Sequence, residues 1–259
     1  MVPGSMPRIR TTATRRSVRS ARVKVAMLLL AAGRGTRFGG PVPKAWLPLA
    51  GRTLLARSAE RLAQALPDGM AAEAIALVHA DDLPTYVAAH RAEVERALAG
   101  RCPLRFVVGG ATRQESMRNG LAACGADVDL VLVHDAARAL LPIGPTRACL
   151  AAAAAHGAAL LALPAADTLK KVSPEGLVER TVDRDGVWLA QTPQVVQREL
   201  LLRAMAHAER TGFVGTDDVS LVEHLGAPVA VVRSAPTNLK ITTPADLPLA
   251  EAIVAANLA

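Results

Sequence analysis

Ala31-Ala32-Gly33-Arg34-Gly35-Thr36-Arg37-Phe38-Gly39-Gly40-Pro41-Val42-Pro43-Lys44 decides the fold. It follows residues 23–30, an apolar stretch of strand length. A continuous apolar run that ends in a Gly-rich turn has the pattern of a buried first parallel strand. Gly33 and Gly35 lack a Cβ, so the turn can adopt positive φ and bring N–H groups close to an anion. Arg34, Arg37 and Lys44 place three cations in or beside the turn, which favours a phosphate-rich ligand. Pro41 and Pro43 restrict the rest of the loop.

The spacing excludes two common nucleotide-binding signatures. A dinucleotide fingerprint needs Gly or Ala three residues after Gly35, where Phe38 stands. A Walker A loop needs Gly directly before its Lys and Ser or Thr directly after it; Pro43 and Ala45 occupy those places. Two glycines alone would be an ordinary βα turn. Three cations with Pro43-Lys44 at the far end point to a triphosphate.

At 259 residues the chain accommodates one α/β domain with a well-buried core. Aromatic residues make up 2%, so Ala, Leu and Val must carry the packing. No apolar stretch approaches the roughly 20 residues that a membrane-spanning helix requires, and a soluble protein with no membrane partner is expected. The net charge of +7 is concentrated before residue 25, where Arg8, Arg10, Arg15, Arg16, Arg19, Arg22 and Lys24 occur without an acidic residue. The remainder is nearly balanced, which argues against a nucleic-acid-binding face on the domain. The basic leader suits a transit peptide as well as a plain extension; we read residues 1–24 as a disordered leader with no catalytic role. It lacks a secretory apolar core, so a cytoplasmic protein is expected. Cys102, Cys124 and Cys149 form neither a disulfide framework nor a zinc site, and are read as reduced, buried thiols.

Residues 53–66 carry apolar residues at helical spacing and stop at Pro67-Asp68-Gly69. Residues 74–78, 104–108, 130–133 and 158–163 read as further buried strands, and residues 84–98, 113–124 and 144–156 as the helices between them. This alternation predicts a Rossmann-like α/β fold, a mainly parallel twisted sheet with helices on both faces. Ligands in such sheets sit at the carboxyl ends of the strands. Residues 33–44, Gly109-Gly110 and residues 134–138 all follow strands directly, so they should converge on one crevice.

The rhythm changes at Pro164. Residues 167–172 and 177–182 flank Ser173-Pro174-Glu175-Gly176, a hairpin turn. An isolated hairpin is only marginally stable, so this arm, about residues 164–190, is expected to pack against a second subunit. A helix over 198–210, a short helix near 219–224, a strand over 229–232 and a last helix from Pro244 complete a single domain, residues 25–259.

In order along the chain stand the Gly-rich loop, then Gly109-Gly110-Ala111-Thr112-Arg113-Gln114-Glu115-Ser116 and Val133-His134-Asp135-Ala136-Ala137-Arg138. Asp167-Thr168-Leu169-Lys170, Thr181-Val182-Asp183-Arg184 with Trp188, and Gln191-Thr192-Pro193-Gln194 follow. Thr216-Asp217-Asp218 and Asn238-Leu239-Lys240-Ile241-Thr242 close the series. This set resembles the 2-C-methyl-D-erythritol 4-phosphate cytidylyltransferase family of the non-mevalonate isoprenoid pathway. The resemblance implies a nucleotide-diphospho-sugar transferase-like fold and transfer of CMP from CTP to methylerythritol 4-phosphate, with release of pyrophosphate.

It also implies roles. Arg37 and Lys44 would stabilise the transition state; Ala31, Ala32, Gly33 and Gly35 would contact the nucleotide through their backbone. Gly110 and Ser116 would read cytosine, and Asp135 would face the ribose and a Mg²⁺ held mainly by the CTP phosphates. Arg138, Thr168 and Lys240 would surround the acceptor. Arg184 and Thr192, in or beside the arm, would reach a partner's site in a homodimer. Two positions depart from the family pattern: Ala139 replaces Pro, which should loosen the loop carrying Arg138, and Ala45 replaces Gln. His134 is read as structural, Asp217-Asp218 as a helix cap, and Lys170 and Lys171 as solvated. The rival reading is a ribitol-5-phosphate cytidylyltransferase, from which the segments around Thr168 and Arg184 point away.

Overall fold

The computed structural model describes residues 23–35 and 38–258. The leader up to Arg22 and the candidate Arg37 lie outside the described residues. Strand β1 (Lys24–Leu30) runs into the Gly-rich loop, a 3₁₀ turn at Lys44–Trp46, and a small hairpin of β2 (Pro48–Leu49) and β3 (Arg52–Thr53). Lys24, assigned above to the leader, is therefore the first residue of the sheet. Helix α1 (Leu54–Ala65) starts where Thr53 Oγ1 accepts from the Ala56 amide at 3.2 Å. Strand β4 (Ala71–Val78) leads through tight turns, one of them a π turn containing Pro84, into α2 (Ala88–Ala97) and then β5 (Leu104–Val108).

Helix α3 (Arg113–Ala123) opens on a capping box. Thr112 accepts from the Glu115 amide and the Glu115 carboxylate accepts from the Thr112 amide, each at 3.1 Å. Strand β6 (Leu130–Asp135), helix α4 (Ile143–His156) and strand β7 (Ala158–Pro164) follow. The arm is β8 (Leu169–Val172), which among the described residues pairs only with β9 (Val178–Val182). Then come β10 (Trp188–Gln197), α5 (Arg198–Thr211), α6 (Ser220–His224), β11 (Ala230–Arg233) and α7 (Asp246–Ala255).

The main sheet has seven strands in the order β11-β7-β10-β6-β1-β4-β5. Every pairing is parallel except those of β10, which runs against both β6 and β7. The mainly parallel sheet is as the alternation predicts; β10 is the addition. Its sequence hides it, because Gln191, Thr192, Pro193 and Gln194 interrupt any apolar run. A register shift between Ala190 and Gln194 brackets Pro193, the kind of irregularity at which a strand tolerates a missing N–H.

Alternate residues of β1 feed two cores. Met27 and Leu29 pack toward α1, α2 and α4, while Ala26 and Leu28 pack toward α3, α5 and α6. Both faces are covered, which is why β1 reads as one unbroken apolar run. A third cluster joins Leu49, Leu54, Ala139, Leu140, Ile241 and Ala250. Ala139 is thus buried, and the Ile241 amide donates to the Ala137 carbonyl at 2.9 Å. The loop carrying Arg138 is pinned rather than loosened by the absence of Pro.

Candidate active site

The three loops meet. A cavity of about 710 Å³ lies beyond the carboxyl ends of β1, β5 and β6, lined by Ala31–Gly35, Lys44, Gly109, Gly110, Ser116, Asp135 and Lys240 among others. Its size suits a small-molecule ligand. Backbone bonds fix where each loop leaves the sheet: Ala31 N–H donates to Leu77, Gly109 to Val78 and Ala136 to Leu30, at 2.8, 2.8 and 3.1 Å. The Ala31 amide is therefore committed to the sheet, and the Ala32, Gly33 and Gly35 backbone leads away from it.

Gly35 takes φ +63°, and a Cβ there would stand 3.0 Å from Lys44 Cβ, so the lysine stem lies against it. Gly33 has open space around it and needs no such freedom. Two loops touch at the other wall. A Cβ on Gly110 would fall 2.2 Å from Glu115 Cβ, and one on Gly109 would fall 2.5 Å from Ala32 Cβ. Ser116 Oγ accepts from the Gly110 amide at 3.0 Å, tying the α3 first turn to that wall.

Asp135 is the electrostatic centre. Its Oδ1 accepts from the Arg113 guanidinium at 2.5 Å and its Oδ2 pairs with Lys240 Nζ at 2.7 Å. Burial alone would raise this carboxyl, but the two cations outweigh it and hold it well below the ordinary carboxylate range. Arg113 also grips Asp218, through Nε at 3.2 Å and a terminal nitrogen at 2.6 Å. Burial works against its charge, yet the two aspartates together raise its pKa. Arg34 points to the cavity lip, paired with Asp81 and Asp82, and Trp46 Nε1 donates to Asp82 at 3.0 Å. Asp246 accepts from the Thr243 and Thr242 amides and also feels the Lys44 charge, and its carboxyl is held low.

His134 is fully buried and structural, as its place at a strand end suggests. Its Nε2–H donates to the Arg138 carbonyl at 3.1 Å, so Nδ1 is bare and accepts from Thr192 Oγ1–H at 3.0 Å. Thr192 in turn accepts from the Asp135 amide at 3.1 Å. It sits in the sheet on β10, not in the arm, and its hydroxyl is committed to β6. Arg138 donates to the Asn238 carbonyl at 2.7 Å and does not line the cavity. Thr168 and Arg184 are exposed on or beside the arm, where Arg184 donates to the Ala166 carbonyl; neither lines the cavity. Asp217 does cap, accepting from the Ser220 amide at 3.0 Å, whereas Asp218 caps nothing and holds Arg113. Lys170 and Lys171 bond within the arm, to Thr181 and Glu179.

Arg113 is the site residue that the sequence reading passed over. The signal was available: a cation in the first turn of a helix opposes the macrodipole and calls for a compensating carboxylate. Among the described residues, no group of three or more His, Cys, Asp or Glu could hold a metal. Asp135 is the carboxylate at the cavity, and cations take both its oxygens. That donor set fits a divalent ion carried on ligand phosphates, not one caged by protein. The three cysteines are free; Cys149 is buried, while Cys102 and Cys124 are half-buried. Burial raises these two thiols to about 11 and Cys149 to about 12, which keeps them unreactive. No helix among the described residues is long and apolar enough to cross a membrane.

Comparison with known proteins agrees with this geometry. The family model of 2-C-methyl-D-erythritol 4-phosphate cytidylyltransferase (IspD) matches residues 25–256. A curated protein of that name from Symbiobacterium thermophilum is 43% identical over 235 residues, covering 90% of this chain and 93% of the relative. The crystal structure of the enzyme of that name from Thermus thermophilus is similar with a TM-score of 0.70 at 36% identity, covering 90% of this chain and 99% of the other. The 4-diphosphocytidyl-2C-methyl-D-erythritol synthase structure from Anaerococcus prevotii gives a TM-score of 0.75 at 26% identity, over 90% and 96%. The order of motifs, the fold and these matches coincide: the chain belongs to the 2-C-methyl-D-erythritol 4-phosphate cytidylyltransferase family.

Proposed function

We propose that this chain transfers CMP from CTP to the phosphate of 2-C-methyl-D-erythritol 4-phosphate, giving 4-diphosphocytidyl-2-C-methyl-D-erythritol and pyrophosphate. The observation that supports it most is the single cavity where the Gly-rich loop, the Gly109-Gly110 turn, Lys44 and the Asp135–Lys240 pair meet. The acceptor is a phosphate with a second pKa near 6, so its attacking oxygen is ionised at neutral pH and needs no general base. The difficulty is bringing one anion to another and stabilising charge at the α-phosphorus, which is work for fixed cations.

In this reading Lys44, with Arg37, holds the triphosphate. The Gly109-Gly110 wall and Ser116 receive the cytosine. Asp135 meets the ribose side and orients Lys240, which turns its ammonium to the acceptor phosphate. Arg138, outside the cavity lining and held on the Asn238 carbonyl, would have to leave that bond to reach the acceptor. Mg²⁺ on the CTP phosphates would add Lewis-acid charge neutralisation, with Asp135 as the protein carboxylate in reach.

The active unit is a homodimer in the cytoplasm, joined through the arm, so that Thr168 and Arg184 complete the site of the partner subunit. The arm's exposed Val172, Leu177 and Val178 support this. The test is pyrophosphate release with CTP and Mg²⁺, comparing methylerythritol 4-phosphate with ribitol 5-phosphate. Turnover with the first alone is expected. Turnover with ribitol 5-phosphate alone would keep the cavity chemistry and overturn the roles given to Thr168, Arg184 and Lys240.

A further inference from the structure

The geometry points to Asp218 as a positioning residue for the reaction, acting through Arg113 to fix the Asp135 carboxylate against Lys240. This rests on the functional reading just given. Asp218 is buried and does not line the cavity. Both its oxygens are spent on one guanidinium, at 3.2 and 2.6 Å, so it can be neither a base nor a metal ligand in this arrangement. A two-point grip leaves an arginine fork one orientation, and here that orientation aims the remaining terminal nitrogen at Asp135 Oδ1, 2.5 Å away.

Asp218 is itself held. Gln194 Oε1, on β10, accepts from the Asp218 and Val219 amides at 2.8 and 3.0 Å, and Gln194 Nε2 donates to Asp217 at 2.8 Å. Gln114, beside Arg113, accepts from the Gly215 amide at 3.1 Å. The loop before α6 and the first turn of α3 are therefore locked together behind the cavity. Function supplies the reason. When Lys240 turns from Asp135 to an anionic acceptor, the buried carboxylate would lose half its compensation. Arg113, fixed by Asp218, stays on the other oxygen, so Lys240 can move without stranding a buried charge.

A double-mutant cycle tests this, with kcat/KM for CTP and methylerythritol 4-phosphate read well below the melting temperature of each variant. Asp218→Asn and Asp135→Asn are each expected to lower kcat/KM by on the order of 10–100-fold. The double variant should fall little below Asp135→Asn, because the influence of Asp218 passes through Asp135. Asp218→Glu, which keeps the charge, should recover part of the loss; if Asp218→Asn does not fold, it takes that variant's place in the cycle. Independent, multiplicative losses would assign Asp218 a purely structural role and overturn the proposal, as would unchanged turnover in Asp218→Asn. Absence of turnover in the wild-type enzyme would instead overturn the functional reading on which the proposal stands.

Discussion

At the end of β6, His134 and Asp135 are neighbours in sequence, both buried, and opposite in charge state. The difference lies in what meets each side chain. Asp135 receives two cations and stays ionised. His134 receives a carbonyl and a hydroxyl, and burial pushes it down to about 4, so it stays neutral. The consequence for stability follows from linkage. Below the ordinary histidine value near 6.5 the unfolded chain takes up a proton that folded His134 refuses. Stability is therefore lost as pH falls from about 6.5 to about 4, by on the order of 3 kcal/mol from this residue. Asp135, whose folded value is depressed, contributes its loss only below about 3.9, outside that window. Urea unfolding of wild type and His134→Gln across this range should give a steeper decline for wild type; parallel curves would contradict the assignment. The structural role of His134 could be read from its place at a strand end. The cation opening α3 was visible in the sequence, but its partner Asp218, 105 residues on, was not.

Among the elements, α3 concentrates site chemistry in a single turn. Its first turn holds Arg113 and Ser116, and its start is fixed by the Thr112–Glu115 capping box. Thr112→Ala removes one of the paired bonds and is expected to cost about 1 kcal/mol, lowering Tm by roughly 2–4 °C in a chain of this size. Because the cap also orients the Gly109-Gly110 wall, KM for CTP should rise more than kcat falls. A fall in Tm with unchanged KM would separate the cap from the site. Elements of this kind are legible because local chemistry specifies them: the Gly109-Gly110 turn that leads into α3, or the unbroken apolar run of β1. Strand β10 was not legible. Its residues are chosen for partners far away in sequence, Thr192 for His134, Gln194 for Asp218, and Gln191 for Asn238, whose Nδ2 donates to Gln191 Oε1 at 2.8 Å. Polar residues with long-range obligations erase the periodicity that marks a strand.

For the whole molecule, convergence of the strand-end loops was foreseeable, since parallel connectivity sends every βα loop to the same edge. The place of the arm was expected from the resemblance alone: Thr168 and Arg184 are exposed on or beside it, and neither lines the cavity of its own chain. Among the described residues the arm pairs only with itself, and Leu177 at 70% and Val178 at 61% exposure give it apolar surface that none of them covers. A symmetric pair of arms would bury that surface and carry each Arg184 across to the other cavity. Complementation tests this directly. Lys44→Ala should lower kcat by on the order of 10²–10³-fold, as expected for a cation at the reacting phosphates, and Arg184→Ala should be comparably impaired. In a mixed dimer one cavity combines both substitutions, while the other keeps Lys44 and receives Arg184 of the partner subunit. Co-refolding equal amounts of the two inactive proteins should therefore restore about one quarter of wild-type turnover, because about half the dimers are mixed and each has one intact site. A monomeric enzyme, or one whose cavity uses its own Arg184, would show no recovery beyond the sum of the two variants.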